Sequence, residues 1–204
     1  MTRDDLNARL TDRRTDGGLA LVGYRGTGKT TVARLLAGRF GLDCADADAE
    51  VETRVGRGVR DVFRELGEPA FRDLEERVIA DLTTRPLVLA TGGGAVLRGS
   101  NREALRRHGL VVWLTATPST IASRLRADPR GVEDRPALTE LGTIEEIVHV
   151  LAARASLYRE AADFEVATDG LTAVEVADRV AACWNVRVEQ GRSDRSPLIS
   201  RADL

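Results

Sequence analysis

The residues with the clearest chemical signature lie at positions 23–30, where the sequence GYRGTGKT fits the pattern G-x-x-x-x-G-K-[ST] at every fixed position. Glycines let the backbone approach a ligand closely, and successive N–H groups at a helix N-terminus attract phosphate. In this pattern the lysine reaches the β- and γ-phosphates and the following hydroxyl binds Mg²⁺. The segment predicts a nucleotide site formed by Gly26, Thr27, Gly28, Lys29, Thr30 and Thr31.

Lys29 is the only lysine among the 30 basic residues of the chain. An arginine-rich chain that keeps one lysine indicates a position where a compact ammonium group on a flexible stem is needed. The alternative is a glycine-rich turn that matches by accident. The flanking sequence favours the phosphate loop, because an apolar run at 19–22 predicts a strand and the spacing of 31–40 predicts a helix.

Two carboxylates, Asp46 and Asp48, follow a second predicted strand at 42–45. Parallel strands end at the same edge of a sheet, so both residues are expected near the phosphate loop. One can reach the metal ion while the other faces the hydroxyl group of an acceptor. The alternative is that Asp48 caps a helix over 49–55, and capping does not exclude catalysis.

A glycine run, Gly92 to Gly94, follows a third predicted strand at 87–91. Glycines at the end of a strand let backbone N–H groups approach a ligand, although a loose turn is the alternative. The strand lacks the terminal aspartate of a usual Walker B sequence, so Asp46 is the nearest candidate for the metal. Arg72 and Glu75 share one face of a predicted helix at 69–83. Such a pair is ordinarily a surface ion pair of little energetic value, and a role in a site is the alternative.

A polar segment at 128–137 contains two prolines and a glycine and predicts a surface loop long enough to close over a nucleotide. Pro136 holds Arg135 extended, so closure can deliver this arginine to the phosphates. Arg154 lies in a later helix that begins near residue 143.

The bulk composition describes one globular domain. The chain has 204 residues and a net charge of −2, which provides no basic field for nucleic acid. It has no run of about 18 apolar residues, so we expect a cytoplasmic protein that does not cross a membrane. Cys44 and Cys183 are expected to be buried thiols, and His108 and His149 to be structural or solvent-facing.

Five predicted strands alternate with helices, which indicates an α/β three-layer sandwich with a parallel sheet and helices on both faces. We expect a polar N-terminal extension at 1–18, one domain at 19–188 and a disordered C-terminal tail at 189–204. Ligands are expected at the carboxyl ends of the strands.

The order of the motifs resembles that of the shikimate kinases, P-loop enzymes of the nucleoside-monophosphate-kinase-like superfamily. The resemblance covers roughly residues 19–185 and rests on the phosphate loop, Asp46-Ala47-Asp48, the segment 71–76, the glycine run, the segment 134–138 and the segment 154–158. It implies the sheet order 2-3-1-4-5 and transfer of the γ-phosphoryl group of ATP to the 3-hydroxyl of shikimate, a step of aromatic amino-acid biosynthesis. It also implies ATP and shikimate as ligands. From the loop motif we expect Mg²⁺ as cofactor, and from the composition a protein that binds neither nucleic acid nor membranes; we expect a monomer.

The resemblance implies a role for each matching residue. Asp48 is similar to the carboxylate at the acceptor hydroxyls and Asp46 to its partner near Mg²⁺. Arg72 and Arg154 resemble the pair that grips the shikimate carboxylate, with Glu75 orienting Arg72. Gly92, Gly93 and Gly94 are assigned as substrate contacts, and the substrate-binding region covers about 46–80. Arg135 is assigned as the arginine of a lid at about 126–138. Arg126 is assigned to the adenine, with Arg124 as its alternative.

Two other functions are alternatives. One is a kinase of the same fold for another small acceptor, such as gluconate or a nucleoside monophosphate; Arg72 and Arg154 together with the glycine run argue against it. The other is a nucleotide-binding module without catalysis, which the presence of the acidic pair and of Arg135 argues against. A GTPase is disfavoured because the sequence has no N-K-x-D motif.

Overall fold

The sheet has five strands in the part of the chain described by the structure, a computed structural model that covers residues 17–127 and 143–193. All neighbouring strands are parallel and their order is β2-β3-β1-β4-β5, as predicted. The strands are β1 (Gly18–Val22), β2 (Asp43–Asp46), β3 (Leu87–Ala90), β4 (Gly109–Thr115) and β5 (Phe164–Ala167).

Seven α-helices connect or follow these strands within the described ranges. They are α1 (Lys29–Phe40), α2 (Ala47–Val55), α3 (Val59–Leu82), α4 (Gly99–His108), α5 (Pro118–Ala127), α6 (Thr143–Ala161) and α7 (Ala173–Ser193), and a short 3₁₀ turn covers Ala95–Leu97. None of the described helices combines the length and apolar character needed to cross a lipid bilayer.

Both faces of the sheet are buried, which confirms the three-layer architecture. Along β1, Leu19 and Leu21 pack with α1 and α7, whereas Ala20 and Val22 pack on the opposite face with α3, α4 and α6. This alternation follows from the two-residue period of a strand. A third, smaller cluster joins Tyr24 of the phosphate loop to α5 and α6, so the loop itself is anchored by apolar packing.

Three sequence expectations need correction or extension. The helices predicted at 59–66 and 69–83 form one element, α3, with a kink at Gly67, where φ is 80° and ψ is 168°. Helix α7 continues to Ser193, so residues 189–193 are helical and do not belong to a disordered tail. Cys44 is exposed because it lies on the edge strand β2. Residues 1–16 of the expected N-terminal extension, residues 128–137 of the expected loop and residues 194–204 of the expected tail lie outside the described residues.

His108 is a structural residue, in agreement with the sequence analysis. Its ring is buried, and Nε2 lies 3.0 Å from the carbonyl oxygen of Leu87. Burial lowers the pKa of His108, because the charged imidazolium would lose its hydration. A Cβ on Gly18 would lie 2.0 Å from Nε2, so the glycine makes room for the ring at the start of β1.

Candidate active site

The phosphate loop leads from the carboxyl end of β1 into α1. Gly28 precedes α1 with φ of 93°, a left-handed conformation that suits glycine. A Cβ on Gly23 would lie 2.3 Å from the carbonyl oxygen of Leu114 in β4, so the loop and the neighbouring strand approach too closely for a side chain. These two constraints explain why the motif has glycine at both positions.

Lys29 is buried, and its side chain folds back onto the phosphate loop. Its Nζ donates to the carbonyl oxygens of Gly23 and Tyr24, each at 2.8 Å. The hydroxyl of Thr27 donates to the same Tyr24 carbonyl at 2.8 Å. The loop is therefore held in its curved form by its own side chains, with the ammonium group of Lys29 placed inside the curve.

Thr30 and Asp46 meet as the metal prediction requires. The Thr30 hydroxyl donates to Oδ2 of Asp46 at 2.6 Å. The other oxygen, Oδ1, accepts from the backbone N–H groups of Asp48 and Ala49 at 3.0 and 3.3 Å, so Asp46 caps α2. The cap is thus Asp46, and the alternative of Asp48 as the cap is wrong. Capping fixes the Asp46 carboxylate because one oxygen is tied to the helix.

This hydroxyl and carboxylate fit a magnesium ion that also binds nucleotide phosphates, because Mg²⁺ commonly takes one or two protein carboxylates and completes its shell with phosphate and water. Across residues 17–127 and 143–193, no cluster of three or more His, Cys, Asp or Glu side chains is arranged to hold a metal by itself. An ion at this site would therefore need further oxygen ligands from nucleotide phosphates and water.

A cleft opens beside the phosphate loop. It collects all the substrate-binding residues predicted from the sequence, together with a set of side chains that were not predicted. The predicted residues are Asp48, Arg72, Glu75, Gly92, Gly93, Gly94 and Arg154, and the others are Tyr24, Arg25, Val59, Phe63 and Phe71. One cleft thus contains the carboxylates of Asp48 and Glu75, three arginines, and an apolar wall formed by Val59, Phe63 and Phe71.

Arg72 and Glu75 form a buried pair, so the alternative of a surface ion pair is wrong. Nη1 of Arg72 donates to Oε2 of Glu75 at 2.6 Å, and the glutamate is 0% exposed. Nε and Nη2 of Arg72 also donate to Glu68, which is half exposed. The Arg72 guanidinium lies 5.2 Å from the ring centroid of Phe71 and 5.8 Å from that of Phe63. Arg72 is therefore held in one orientation from several sides.

The carboxylate oxygen of Glu75 that does not bond Arg72, Oε1, lies beside Gly92. Burial raises the pKa of Glu75, and the charge of Arg72 opposes this change. Its Oε1 is buried and has no hydrogen-bond partner among the described residues. A Cβ on Gly92 would lie 2.4 Å from this oxygen and 2.6 Å from Oδ1 of Asp48, which places the two oxygens within 5.0 Å of each other. Two carboxylates therefore converge on the first glycine of the run.

The glycine run is not a loose turn, because charged side chains occupy the space that Cβ atoms on Gly92 and Gly94 would need. In addition to the contacts at Gly92, a Cβ on Gly94 would lie 2.2 Å from Nη2 of Arg72. From the sequence, the glycines are expected to let a ligand approach the backbone. In the structure they also admit the side chains that line the cleft.

Helix α6 fixes the middle of the glycine run. Nη1 of Arg154 donates to the carbonyl oxygen of Gly93 at 3.0 Å, and the hydroxyl of Tyr158 donates to the same oxygen at 2.5 Å. Burial raises the pKa of Tyr158 to about 12, so this hydroxyl remains a donor at neutral pH. Arg154 is half-buried and lines the cleft, and its described hydrogen bond leaves further donors of the guanidinium for a ligand.

The structure separates the two arginines considered for the nucleotide side. Arg124 donates to the carbonyl oxygen of Gly26 at 3.3 Å and to both oxygens of Thr168, so it lies against the phosphate loop. The described hydrogen bond of Arg126 is to Ala122 in its own helix. Arg124 therefore lies against the phosphate loop, the assignment of Arg126 to the adenine stays a prediction, and Arg135 lies outside the described residues.

Residues 25–185 match the sequence model of one protein family, described as shikimate kinase. The chain belongs to the shikimate kinase family. The matched region begins inside the phosphate loop and ends in α7, so it includes every residue that lines the cleft except Tyr24.

Individual shikimate kinases match along nearly their whole length. The shikimate kinase of Symbiobacterium thermophilum is 41% identical over 174 residues, which are 85% of this chain and 99% of that protein. The structure of a shikimate kinase from Acinetobacter baumannii in complex with shikimate has a TM-score of 0.80 and 32% identity, with 88% of this chain and 97% of that chain covered. A gluconokinase structure from Sinorhizobium meliloti has a TM-score of 0.55 and 15% identity over 90% of this chain and all of that chain, which shows a shared fold alone.

The sequence reasoning missed the apolar wall of the shikimate kinase cleft. The apolar character of Val59, Phe63 and Phe71 gives no signal that separates a cleft wall from a core. The position of Phe71 directly before Arg72 was the available hint. Tyr24 and Arg25 occupy variable positions of the loop pattern, where the pattern itself makes no demand.

Proposed function

We propose that the protein transfers the γ-phosphoryl group of ATP to the 3-hydroxyl group of shikimate, with the residues of the cleft in the roles given below. The observation that carries this proposal is the continuity of the cleft with the phosphate loop. Tyr24 and Arg25 belong to the loop and line the same cleft as Asp48, Arg72 and Arg154. A donor phosphate and an acceptor in these two places are neighbours, as phosphoryl transfer requires.

On the donor side, the loop backbone from Gly26 to Gly28 surrounds the phosphates, and Lys29 turns from its loop carbonyls to the β- and γ-phosphate oxygens. Thr30 and Asp46 would hold Mg²⁺, which supplies charge neutralisation between the phosphates when it is bound. Arg126 stays the proposed adenine contact, with Arg124, which lies against the loop, as its alternative. Arg135 stays a proposed phosphate contact from the segment outside the described residues, and Thr31 a proposed contact at the start of α1.

On the acceptor side, the arginines bind the ring carboxylate. Arg72 is fixed by Glu75, and Arg154 approaches from the side of Gly93. Guanidinium groups suit this task because they pair with a carboxylate through two parallel hydrogen bonds. The apolar wall of Phe63 and Phe71 contacts the ring. Gly92, Gly93 and Gly94 leave the space in which these groups converge.

Asp48 faces the reacting hydroxyl. The 3-oxygen of shikimate attacks the γ-phosphorus, the bond from phosphorus to the bridging oxygen breaks, ADP leaves with that electron pair, and the hydroxyl proton passes to a carboxylate oxygen of Asp48. In a loose transition state the proton is transferred late, so orienting the hydroxyl is a large part of this role. Helix α2 positions Asp48, because its backbone N–H is tied to the capping Asp46.

The activity is tested by phosphoryl transfer from ATP to shikimate, gluconate and nucleoside monophosphates, measured as ADP release. We expect turnover with shikimate and background rates with the other acceptors. Equal rates for gluconate and shikimate would favour the alternative kinase, and a flat signal with every acceptor would favour the non-catalytic module.

The Asp48→Asn variant tests the role of the carboxylate. The amide keeps the shape and cannot take the proton, so kcat should fall by roughly 10² to 10⁴ while shikimate binding persists. The measurement is steady-state turnover together with calorimetric binding of shikimate. A kcat near that of the wild type would remove proton acceptance from the role of Asp48, whereas orientation of the hydroxyl can persist through the amide oxygen of asparagine.

The Arg154→Met variant tests the assignment of the carboxylate site. Loss of a charge-assisted contact should weaken shikimate binding by roughly 10- to 100-fold, with the KM for ATP little changed. The measurement is KM for each substrate under saturation by the other. Equal losses for both substrates would point to a disturbed fold, which unfolding curves of the same samples would reveal.

A further inference from the structure

Arg25 has no role in the scheme above, although it lines the acceptor cleft. Of the three arginines along the described cleft, Arg25 is the one that belongs to the phosphate loop. Its backbone nitrogen lies 3.4 Å from the position that a Cβ on Gly93 would take. Arg25 therefore stands where the donor loop meets the middle of the glycine run.

The side chain of Arg25 is held at this boundary by α6. Its Nη2 donates to Oε1 of Glu146 at 3.2 Å, and the Glu146 residue is 3% exposed. The guanidinium carbon lies 5.7 Å from the centroid of the Tyr24 ring. The ion-pair contact at 3.2 Å is longer than the 2.6 Å contact between Arg72 and Glu75, so Arg25 is held less firmly than Arg72.

One donor of Arg25 lacks an acceptor among the described residues. The Nε atom is buried and makes no hydrogen bond. An unpaired buried donor is uncommon because it loses its hydration without compensation. A side chain with one long ion pair and one unpaired donor can improve its hydrogen bonding when an anionic ligand arrives, since side chains commonly change rotamer on binding.

The chemistry of the cleft indicates that this anion is a phosphate group. Arg72 is already paired with two carboxylates, and with Arg154 it is assigned to the carboxylate of the acceptor. The loop that carries Arg25 is the one that surrounds the phosphates. A planar guanidinium group pairs with phosphate oxygens through two hydrogen bonds.

We propose that Arg25 contacts the phosphoryl group as it moves to the acceptor and binds it in the phosphorylated product. This inference rests on the proposed function. The contact is made with the transferring group and with the product but not with shikimate, so it stabilises the transition state relative to bound shikimate. Glu146 keeps the guanidinium at the boundary between the two substrates when no phosphate is there.

The experiment compares the binding of shikimate and of shikimate 3-phosphate by calorimetry, for the wild type and for Arg25→Met. We expect the variant to lose about tenfold in affinity for the 3-phosphate, the size of a lost charge-assisted contact. Its affinity for shikimate should stay within about twofold, which also shows that the variant is folded. Unchanged binding of both ligands, or equal loss for both, would overturn the proposal.

Two further variants make the result specific. Arg154→Met should weaken both ligands alike, because both carry the ring carboxylate. Arg25→Lys should recover part of the 3-phosphate affinity, because it keeps the charge; a loss as large as that of Arg25→Met would contradict a charge contact. If the wild type binds neither shikimate nor its 3-phosphate, the proposed function fails. If Arg154→Met weakens both ligands as expected but Arg25→Met has no effect, the proposed function stands and only the role of Arg25 is removed.

Discussion

Replacement of Gly92 by alanine tests the packing argument for the acceptor site. The added Cβ would lie 2.4 Å from Oε1 of Glu75 and 2.6 Å from Oδ1 of Asp48. Real Cβ atoms essentially never approach other atoms within 3.0 Å, so the Glu75 oxygen must retreat by at least about 0.6 Å, the difference between 3.0 and 2.4 Å. Glu75 is fully buried and bonded to Arg72, so this displacement also moves the arginine.

The size of the effect follows from this displacement. A misplacement of about 1 Å in a site costs about 10²-fold in rate, so a shift of at least about half that size predicts a loss of roughly 10- to 100-fold in kcat/KM for shikimate. This range corresponds to about 1.4 to 2.7 kcal/mol of transition-state stabilisation. The KM for ATP should stay near the wild-type value, because the atoms nearest to the added Cβ belong to the acceptor side.

The assay is ADP release with varied shikimate and varied ATP, with urea unfolding measured on the same samples. Gly38→Ala is the matched control, since Gly38 is an exposed residue of α1 with no neighbouring atom within 4 Å of an added Cβ. It should leave both KM values unchanged and raise stability by about 0.5 to 1 kcal/mol. Wild-type kcat/KM in Gly92→Ala would refute the steric reasoning, and so would an equal loss of activity in the control.

Two further predictions concern buried polar groups. Tyr158→Phe should lower the free energy of unfolding by about 1 kcal/mol and raise the KM for shikimate several-fold, because Gly93 loses one of two donors; an unchanged urea midpoint would contradict this. His108 has a pKa below its unfolded value, so the unfolded state binds more protons and stability should fall as the pH drops below about 6.5 toward the folded pKa. Urea midpoints at pH 7.5, 6.5 and 5.5 should therefore decline more in the wild type than in His108→Gln, and parallel declines would count against this role of His108.

The fold could be predicted from local patterns because each strand and helix has its own periodic signal. The apolar run before the phosphate loop, the alternation of strands and helices and the loop motif together require a parallel sheet with ligands at its carboxyl edge. The end of α7 was placed too early because its last residues are polar, and a helix can continue without an apolar face after its packed part has fixed it.

The side chains of the site were identified from the sequence when their type is tied to the chemistry. Lys29 and Asp48 are of this kind, since charge and hydrogen-bond geometry limit the residues that can act on phosphates and hydroxyls, whereas the roles of Arg72 and Arg154 were implied by the resemblance to the shikimate kinases. The spacing of three residues also predicted that Glu75 shares a helix face with Arg72. It could not decide between a surface pair and a buried one, because spacing along a helix does not reveal what covers that face.

Only the tertiary structure decided how these residues are arranged. The approach of Arg124 to the phosphate loop and the crowding of carboxylates at Gly92 depend on contacts between segments distant in sequence. The position of Arg25 between the phosphate loop and Glu146, 121 residues later, is of the same kind. Motifs determine which chemistry a chain can perform, whereas packing determines which groups meet, because contact distances are set by the whole sheet and its helices.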